Sequence, residues 1–333
     1  MSSFDFLRPP TPSDPTARAY KDWFHLNFFD LKTGLVGLVN VSLHGPPDDR
    51  RSRAVGVALT AELAQGWCGG IEIAGFSTAG IEFQALSLET VSLSVTPDQN
   101  ALHASVRRAE DGLSLSVVAT PLTRPFSYDL HAPFGSGWIS WSVLPMLKLM
   151  GELKSDERTI SLNDAIGYYD HNWGRWFWGD DAAWEWGAFV LAEPGAIVVF
   201  ARACDKAHRH YGEVHLTLIP SAGGHTMQFT RVSVRLSGRL SQPERRIPGA
   251  LAAIHPDRRR PGLPGVVEIT ASNGVDELYL RFDAETSAQL ILAEPTRPGY
   301  AFINELVGRC RLSANIDGAQ IASEGLGVFE YVE

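Results

Sequence analysis

Apolar and polar residues alternate with a period of two along nearly the whole chain, and no other feature of the sequence constrains the fold as strongly. The alternation is clearest in residues 39–43, 91–95, 113–117, 232–236 and 278–282. This period is typical of β-strands that bury one face and expose the other, whereas the spacing of amphipathic helices is nearly absent. Many short strands without alternating helices predict an all-β protein built from sandwiches or barrels.

Turn signals lie between the predicted strands. The dipeptides Asn273-Gly274 and Asp317-Gly318 favour tight hairpins, which join antiparallel strands. A longer interruption at residues 241–265 is rich in proline and arginine. We predict an extended loop there, either solvated or used to bind an anion.

The length of the chain predicts two domains. At 333 residues it exceeds the usual size of a single hydrophobic core. The polar segment 151–158 is the predicted boundary. We therefore expect an N-terminal domain of residues 1–158 and a C-terminal domain of residues 159–333.

Charge and composition argue against several classes of function. The net charge of −9 is unsuited to a general nucleic-acid binder, which needs a clustered basic surface. Cys68, Cys204 and Cys310 are too scattered for a disulfide framework or a paired-thiol metal motif, so we expect small buried side chains. Because the chain has neither a Gly-rich phosphate loop nor a Gly-x-Ser-x-Gly motif, we expect no cofactor. It also lacks a long apolar run and a secretory signal pattern, so a cytoplasmic location is expected.

The segment 166–186 carries most of the chemical information. Five of the nine tryptophans of the chain fall within it: Trp173, Trp176, Trp178, Trp184 and Trp186. Asp170, His171 and Asn172 add proton donors and acceptors, and the combination suits a pocket that handles developing positive charge. The same residues are also typical of a buried, hydrogen-bonded corner that fixes a strand crossing.

The hexapeptide at residues 169–174, Tyr-Asp-His-Asn-Trp-Gly, resembles the central motif of one lipocalin superfamily. That superfamily contains carotenoid 1,2-hydratase (hydroxyneurosporene synthase), AttH-like proteins, kievitone hydratase and decalin-forming Diels–Alderases. The resemblance extends over most of the chain, to Gly167 before the motif and to residues 22–30, 137–141, 184–186 and 325–331. It implies two consecutive lipocalin-like β domains, an N-terminal β-sandwich or barrel and a C-terminal calycin-like barrel, with a ligand pocket near their junction.

The resemblance carries over Asp170, His171 and Trp173, and the other predicted site residues follow from their residue types and positions. Asp170 is the expected acid, His171 is expected to orient it or act as the complementary base, and Tyr169 is grouped with them. Aromatic and polar side chains around this trio are expected to bind substrate: Trp173, Asn172, Trp176, Trp178, Trp184, Trp186, Trp138, Trp141, Trp23 and His25. Because successive side chains of a strand point to opposite faces, Asp170 and Asn172 share one face and Tyr169, His171 and Trp173 the other. We expect His171 and Trp173 to face the pocket.

Two further features qualify this site. In carotenoid hydratases a tyrosine and an aspartate on the strand after the motif are expected to serve acid catalysis, and residues 196–202 contain neither. His208 and His210 are spaced to reach one metal ion together, but no third ligand is apparent. We therefore expect a solvated strand edge there and no metal.

The leading functional hypothesis is a cofactor-free lyase or isomerase. It would hydrate or cyclise a hydrophobic polyene or isoprenoid-like substrate after protonating an alkene, as in carotenoid, terpenoid or other secondary metabolism. One alternative is a pericyclase of a polyketide or natural-product pathway, which accelerates cyclisation by orientation alone. The other is a carrier that binds a hydrophobic ligand unchanged. The expected partner is a hydrophobic small molecule, with no nucleic acid and no integral membrane segment. Peripheral membrane contact for substrate uptake and a monomeric or homodimeric state are allowed.

Overall fold

The computed structural model describes most of the 333 residues. The described ranges are 6–11, 13–46, 49–63, 66–76, 78–82, 84–96, 101–108, 110, 112–127, 131–155, 158–193, 195–221, 225–240, 245–246 and 263–333. Most of the loop predicted at residues 241–265 lies outside them. Within these ranges no helix is both long and apolar enough to span a bilayer.

The first sheet is formed by the N-terminal half of the chain, after a single 3-10 turn at Ala17–Ala19. Its strands are β1 (Tyr20–Asp30), β2 (Leu35–His44), β3 (Arg53–Glu62), β4 (Gly66–Gly75), β5 (Gly80–Glu82), β6 (Ala85–Ser87), β7 (Val91–Thr96), β8 (Ala101–Arg108), β9 (Leu113–Pro121), β10 (Phe126–Ser127), β11 (Ala132–Phe134), β12 (Gly137–Ser155), β13 (Arg158–Ser161) and β14 (Ile166–Arg175). Their order is β4-β3-β2-β1-β14-β12-β9-β8-β7-β6-β5, and β10, β11 and β13 pair with β12.

The second sheet is formed by the C-terminal half. Its strands are β15 (Ala183–Leu191), β16 (Ala196–Cys204), β17 (Tyr211–Pro220), β18 (Met227–Gln228), β19 (Arg231–Ser237), β20 (Arg245–Arg246), β21 (Val266–Ser272), β22 (Glu277–Ala293), β23 (Tyr300–Ile316) and β24 (Ala319–Val332). Their order is β18-β17-β16-β15-β24-β23-β22-β21-β19, and β20 pairs with β22. Both sheets are curled and almost entirely antiparallel, which confirms the predicted all-β class.

The predicted hairpin turns lie where the sequence indicated. Asp317 and Gly318 form a two-residue connection between β23 and β24, with φ of 50° and 79°. Positive φ at both residues is what the right-handed twist of a hairpin requires. Asn273 closes the turn before β22, because its Oδ1 accepts hydrogen bonds from the backbone N–H groups of Val275 (2.9 Å) and Asp276 (2.8 Å).

The change from one sheet to the other falls later than the sequence boundary of 158/159. Strand β14 follows that boundary, yet it pairs with β1 and β12 inside the first sheet. The second sheet begins only with β15, so the crossing segment is residues 176–182. The described residues around position 155 belong to β12 and β13, which pair with each other in the first sheet.

Three hydrophobic clusters organise the protein. One lies inside the curl of the first sheet and one inside the curl of the second. The third lies between the sheets and joins Trp23 and Val57 to Trp186, Leu290 and Val328. Strands between two clusters are buried on both faces, and β1 and β14 are accordingly buried at nearly every position, polar residues included.

A buried ion pair also joins the two sheets. Lys21 of β1 donates from Nζ to Glu294 Oε2 at 2.8 Å, just after β22, and to the carbonyl oxygen of Trp176 at 3.1 Å. The same Glu294 oxygen accepts the backbone N–H of Trp178 at 3.1 Å. Both charged side chains have no solvent exposure. The crossing segment is therefore tied to both sheets at one point.

We predict that Glu294→Gln destabilises the protein by about 3–5 kcal/mol, because it leaves the buried Lys21 ammonium without its counter-charge. The double variant Lys21→Met/Glu294→Leu should lose less, since it removes both charges. Urea unfolding measures these changes. The control is Asp164→Asn, which breaks the exposed Lys32–Asp164 pair and should change stability little. Equal losses in Glu294→Gln and Asp164→Asn would contradict the prediction.

Candidate active site

A cavity of about 430 Å³ lies between the two sheets. Small-molecule pockets commonly occupy roughly 300–1,000 Å³, so its size suits a small organic ligand. Its aromatic wall consists of Trp23, Phe134, Trp141, Trp178, Trp184 and Trp186. Its aliphatic wall includes Leu38, Val55, Val57, Leu290, Leu292 and Ile303. The polar residues of the lining are His25, Asn40, Ser42, His44, Asp170, Asn172, Arg202, Glu213, His215, Glu305 and Glu330.

Asp170 reaches the cavity from β14 and is 4% exposed. Tyr168 donates its hydroxyl to Oδ2 at 2.8 Å, and Asn172 donates its amide to Oδ1 at 2.7 Å. All three side chains share one face of the strand because they are two residues apart. Burial raises the pKa of Asp170 from its ordinary 3.8 to about 7, although these hydrogen bonds favour the charged form and oppose the rise. The carboxyl group is therefore partly protonated near neutral pH.

Glu305 and Glu330 form a second acidic group on the opposite sheet. They are directly opposed partners on β23 and β24, so their side chains share one face. Burial raises the pKa of both carboxyls, that of Glu305 strongly, and hydrogen bonding between them lets the pair share a proton. Trp184 donates its indole N–H to Glu330 Oε2, whereas Oε2 of Glu305 has no hydrogen-bond partner among the described residues.

The two acidic groups are close enough to affect each other. The negative charge of Asp170 contributes to the raised pKa values of both Glu305 and Glu330. In the part of the chain that the structure describes, none of the three forms an ion pair with lysine or arginine. Protons, rather than counter-charges, therefore neutralise the acidic side of the cavity.

Two histidines that line the cavity are neutral. Burial lowers the pKa of His25, although the charge of Glu330 opposes this, and burial followed by the charge of Lys21 lowers the pKa of His44 further. Trp178 can only donate its indole N–H, here to His44 Nδ1 at 3.1 Å. The ring of His44 therefore carries its proton on Nε2 and donates to Ser42 Oγ at 2.9 Å.

The expectation that His171 and Trp173 face the cavity is wrong. His171 points into the core of the first sheet, where Nε2 donates to Asp22 Oδ1 at 2.6 Å and Nδ1 accepts from Arg8 Nη1 at 2.8 Å. The Arg8 guanidinium lies 3.7 Å from the Trp173 ring centre. Tyr169 packs in the same core. These three motif residues anchor the segment around Arg8 and do not line the cavity.

The remaining predicted residues divide into two groups. The cavity is lined by Asp170, Asn172, Trp23, His25, Trp141, Trp178, Trp184 and Trp186. Trp176 lies behind this wall and packs edge-on against Trp23 and Phe134, each at a ring distance of 5.4 Å. Trp138 instead packs against His131 at 4.1 Å, outside the lining. The sequence therefore predicted that the pocket is aromatic more accurately than it predicted which aromatic residues line it.

The sequence interpretation missed Tyr168, Glu305 and Glu330. A signal was present, because Glu305 interrupts an apolar run in β23 and Glu330 interrupts another in β24. A charged residue on the buried face of a strand is uncommon unless it is paired or functional. The expectation of a solvated edge holds for His210, which is exposed and bonds to Asp205, but not for His208, whose side chain is buried and bonds to Glu185.

Comparison with known proteins bears on the fold. No family model matches the chain, and no curated protein matches it. An AttH-like protein from Nitrosomonas europaea has a TM-score of 0.65 at 15% identity, covering 97% of this chain and 98% of its own. Kievitone hydratase from Nectria haematococca has a TM-score of 0.63 at 14% identity, covering 98% and 93%. CghA, solved with Sch210972, has a TM-score of 0.61 at 13% identity, covering 97% and 93%.

These similarities extend over the whole chain. They confirm the predicted architecture of two lipocalin-like β domains. A specific relationship to carotenoid 1,2-hydratase stays a prediction.

We predict that Tyr168→Phe raises the pKa of Asp170 above about 7, because the lost hydroxyl stabilises the ionised carboxylate. Carbon-13 NMR titration of aspartate carboxyls measures the shift, with Asp170→Asn used to assign the signal. Tyr169→Phe is the matched control, since that side chain lies on the opposite face of β14. A shift of equal size in both variants would contradict the role given to Tyr168.

Proposed function

We propose that this protein is a cofactor-free lyase or isomerase that protonates an alkene of a hydrophobic polyene or isoprenoid-like substrate, leading to hydration or cyclisation. The single observation that carries the proposal is Asp170, a buried carboxyl whose pKa of about 7 leaves it partly protonated at the wall of an aromatic cavity. A carboxylic acid kept neutral by desolvation still holds, at neutral pH, the proton that it must donate to the double bond.

The chemistry begins with one proton transfer. The O–H bond of Asp170 breaks, the π electrons of the alkene form a C–H bond, and the neighbouring carbon becomes a tertiary cation. Water can then add to the cation and lose a proton, which gives an alcohol. Alternatively, a second alkene attacks and a proton leaves the next carbon, which gives a ring. In both cases a base must accept one proton, so no external reagent beyond water is consumed.

Glu305 and Glu330 suit the role of that base. They approach the cavity from the second sheet, whereas Asp170 approaches it from the first. A pair that shares one proton can accept another or release the one it has, so it tolerates a change of charge during the reaction. An acid and a base on different walls can act on different carbons of one substrate.

The aromatic wall can stabilise the cation. Trp23 and Trp184 stack with ring centres 6.3 Å apart, and Trp178 lies 5.9 Å from Trp184. The face of an indole attracts a nearby cation by about 2 kcal/mol when water is excluded. Together with the Asp170 carboxylate that the proton transfer leaves behind, this wall favours positive charge that develops in the transition state. The cytoplasmic location and the monomeric or homodimeric state stay predictions alongside this proposal.

We predict that Asp170→Asn lowers turnover by about 10²–10⁴-fold, the usual contribution of a general acid. The assay is a panel of linear isoprenoid polyenes and alcohols incubated in D₂O, with product analysed by mass spectrometry. Wild-type product should carry deuterium at the protonated carbon. Tyr169→Phe, on the far face of the same strand, should keep its activity.

Other outcomes would replace the proposal with one of its alternatives. Cyclised product without deuterium, still formed by Asp170→Asn, would indicate a pericyclase that works by orientation. Saturable quenching of tryptophan fluorescence by the same compounds, with no product from any of them, would indicate a carrier.

We also predict that the turnover rate falls as the pH rises through about 7. The protonated form of Asp170 is the active form, so activity is present below that pKa and lost above it. In Tyr168→Phe the fall should move to higher pH, and in Tyr169→Phe it should not move. A turnover rate that stays constant between about pH 6 and about pH 9 would exclude Asp170 as the acid.

A further inference from the structure

Three potential metal ligands of different chemistry meet beside the cavity. Glu185 of β15, Cys204 at the end of β16 and His208 in the following loop place one oxygen, one sulfur and one nitrogen within 4.8 Å of one another. The Glu185 and His208 side chains are 0% and 4% exposed, and Cys204 is 8% exposed. The group is independent of Asp170 and of the proposed reaction.

The contacts of His208 direct its Nδ1 atom toward the other two potential ligands. Nε2 lies 2.8 Å from the carbonyl oxygen of Val332, and a carbonyl can only accept, so Nε2 carries a proton. Nδ1 faces Glu185 Oε1 at 2.9 Å and Cys204 Sγ at 3.5 Å. Nδ1 is therefore the ring nitrogen that faces the other two potential ligand atoms.

The surroundings hold the three groups in this arrangement. Tyr331 stacks on the His208 ring at 3.8 Å and 8°, and the backbone of His208 adopts φ of 51°, which is unfavourable for a residue other than glycine. Arg202 Nε donates a hydrogen bond to Glu185 Oε2 at 2.9 Å, and Arg202 Nη2 lies 2.7 Å from the same oxygen. The other carboxylate oxygen is thereby left for His208 and Cys204. A fixed imidazole whose second nitrogen donates to a carbonyl is characteristic of metal-binding histidines.

We propose that Glu185, Cys204 and His208 bind a zinc ion, with water as the fourth ligand. Carboxylate, thiolate and imidazole are the ligand types that Zn²⁺ takes, and three protein ligands plus water complete a tetrahedron. Cys204 binds the ion as a thiolate, so binding releases the proton of its thiol. The ion would join Glu185 of β15, Cys204 of β16 and the His208 loop. His208 is in turn bonded to the Val332 carbonyl of β24, the strand that also carries Glu330.

Cobalt(II) titration of the full-length protein, after removal of metal with EDTA, tests this site. Bound through Cys204, Co²⁺ should give a thiolate-to-metal charge-transfer band in the near ultraviolet and visible bands of tetrahedral intensity. Zn²⁺ should displace it and raise the melting temperature, because it binds the folded state. Cys204→Ser should abolish the charge-transfer band, and His208→Gln should weaken binding by at least about 10–100-fold.

His210→Gln is the matched control, because His210 lies in the same loop but is exposed and bonds to Asp205. It should bind Co²⁺ as wild type does, and far-ultraviolet circular dichroism checks that each variant is folded. Wild-type protein that gives no charge-transfer band would overturn the proposal, without reference to any variant. A band that survives in folded Cys204→Ser would also overturn it. So would nitrogen-15 NMR showing protons on both ring nitrogens of His208 in excess Zn²⁺.

Discussion

Desolvation of the Asp170 carboxyl depends on a strand that is buried on both faces. Strand β14 lies between the core of the first sheet and the cluster between the two sheets, so each of its side chains enters one apolar region or the other. In water a carboxyl near the ordinary pKa of 3.8 would be ionised at neutral pH, and here burial brings the pKa to about 7. Without the second sheet, the cavity face of β14 would be open to solvent and this acid would be an ordinary aspartate.

The two faces of β14 separate support from chemistry. On the inner face of the first sheet, His171, Asp22 and Arg8 satisfy one another's hydrogen bonds and fix the strand. On the cavity face, Asp170 and Asn172 bond mainly to neighbours two residues along and remain next to open space. One motif therefore contains both the group that we propose to react and the groups that hold it. A resemblance to a family motif points to such a segment without separating these two kinds of residue.

The second sheet contributes a different kind of constraint. Directly opposed glutamates on neighbouring strands repel when both are ionised, and burial between sheets makes that repulsion stronger. Sharing a proton relieves it, so the Glu305 and Glu330 pair is kept partly neutral by the same desolvation that acts on Asp170. The buried pair of Lys21 and Glu294 holds the sheets together at another point of the same interface. The overall arrangement is shared with solved structures of low sequence identity, and that similarity concerns the fold alone.

The sequence alone determined the all-β class, the hairpins at Asn273-Gly274 and Asp317-Gly318, and the importance of the segment 166–186. These are local properties, because strand periodicity and turn conformation depend on residues close along the chain. Only the tertiary structure decided that Asp170, rather than His171, faces the cavity, since period-two alternation defines two faces without saying which one a distant sheet will cover. It also brought Glu305 and Glu330 to the same cavity as Asp170, and Glu185 and Cys204 to His208. Those groups meet through pairing between distant strands and packing of one sheet on the other, which no spacing along the chain records.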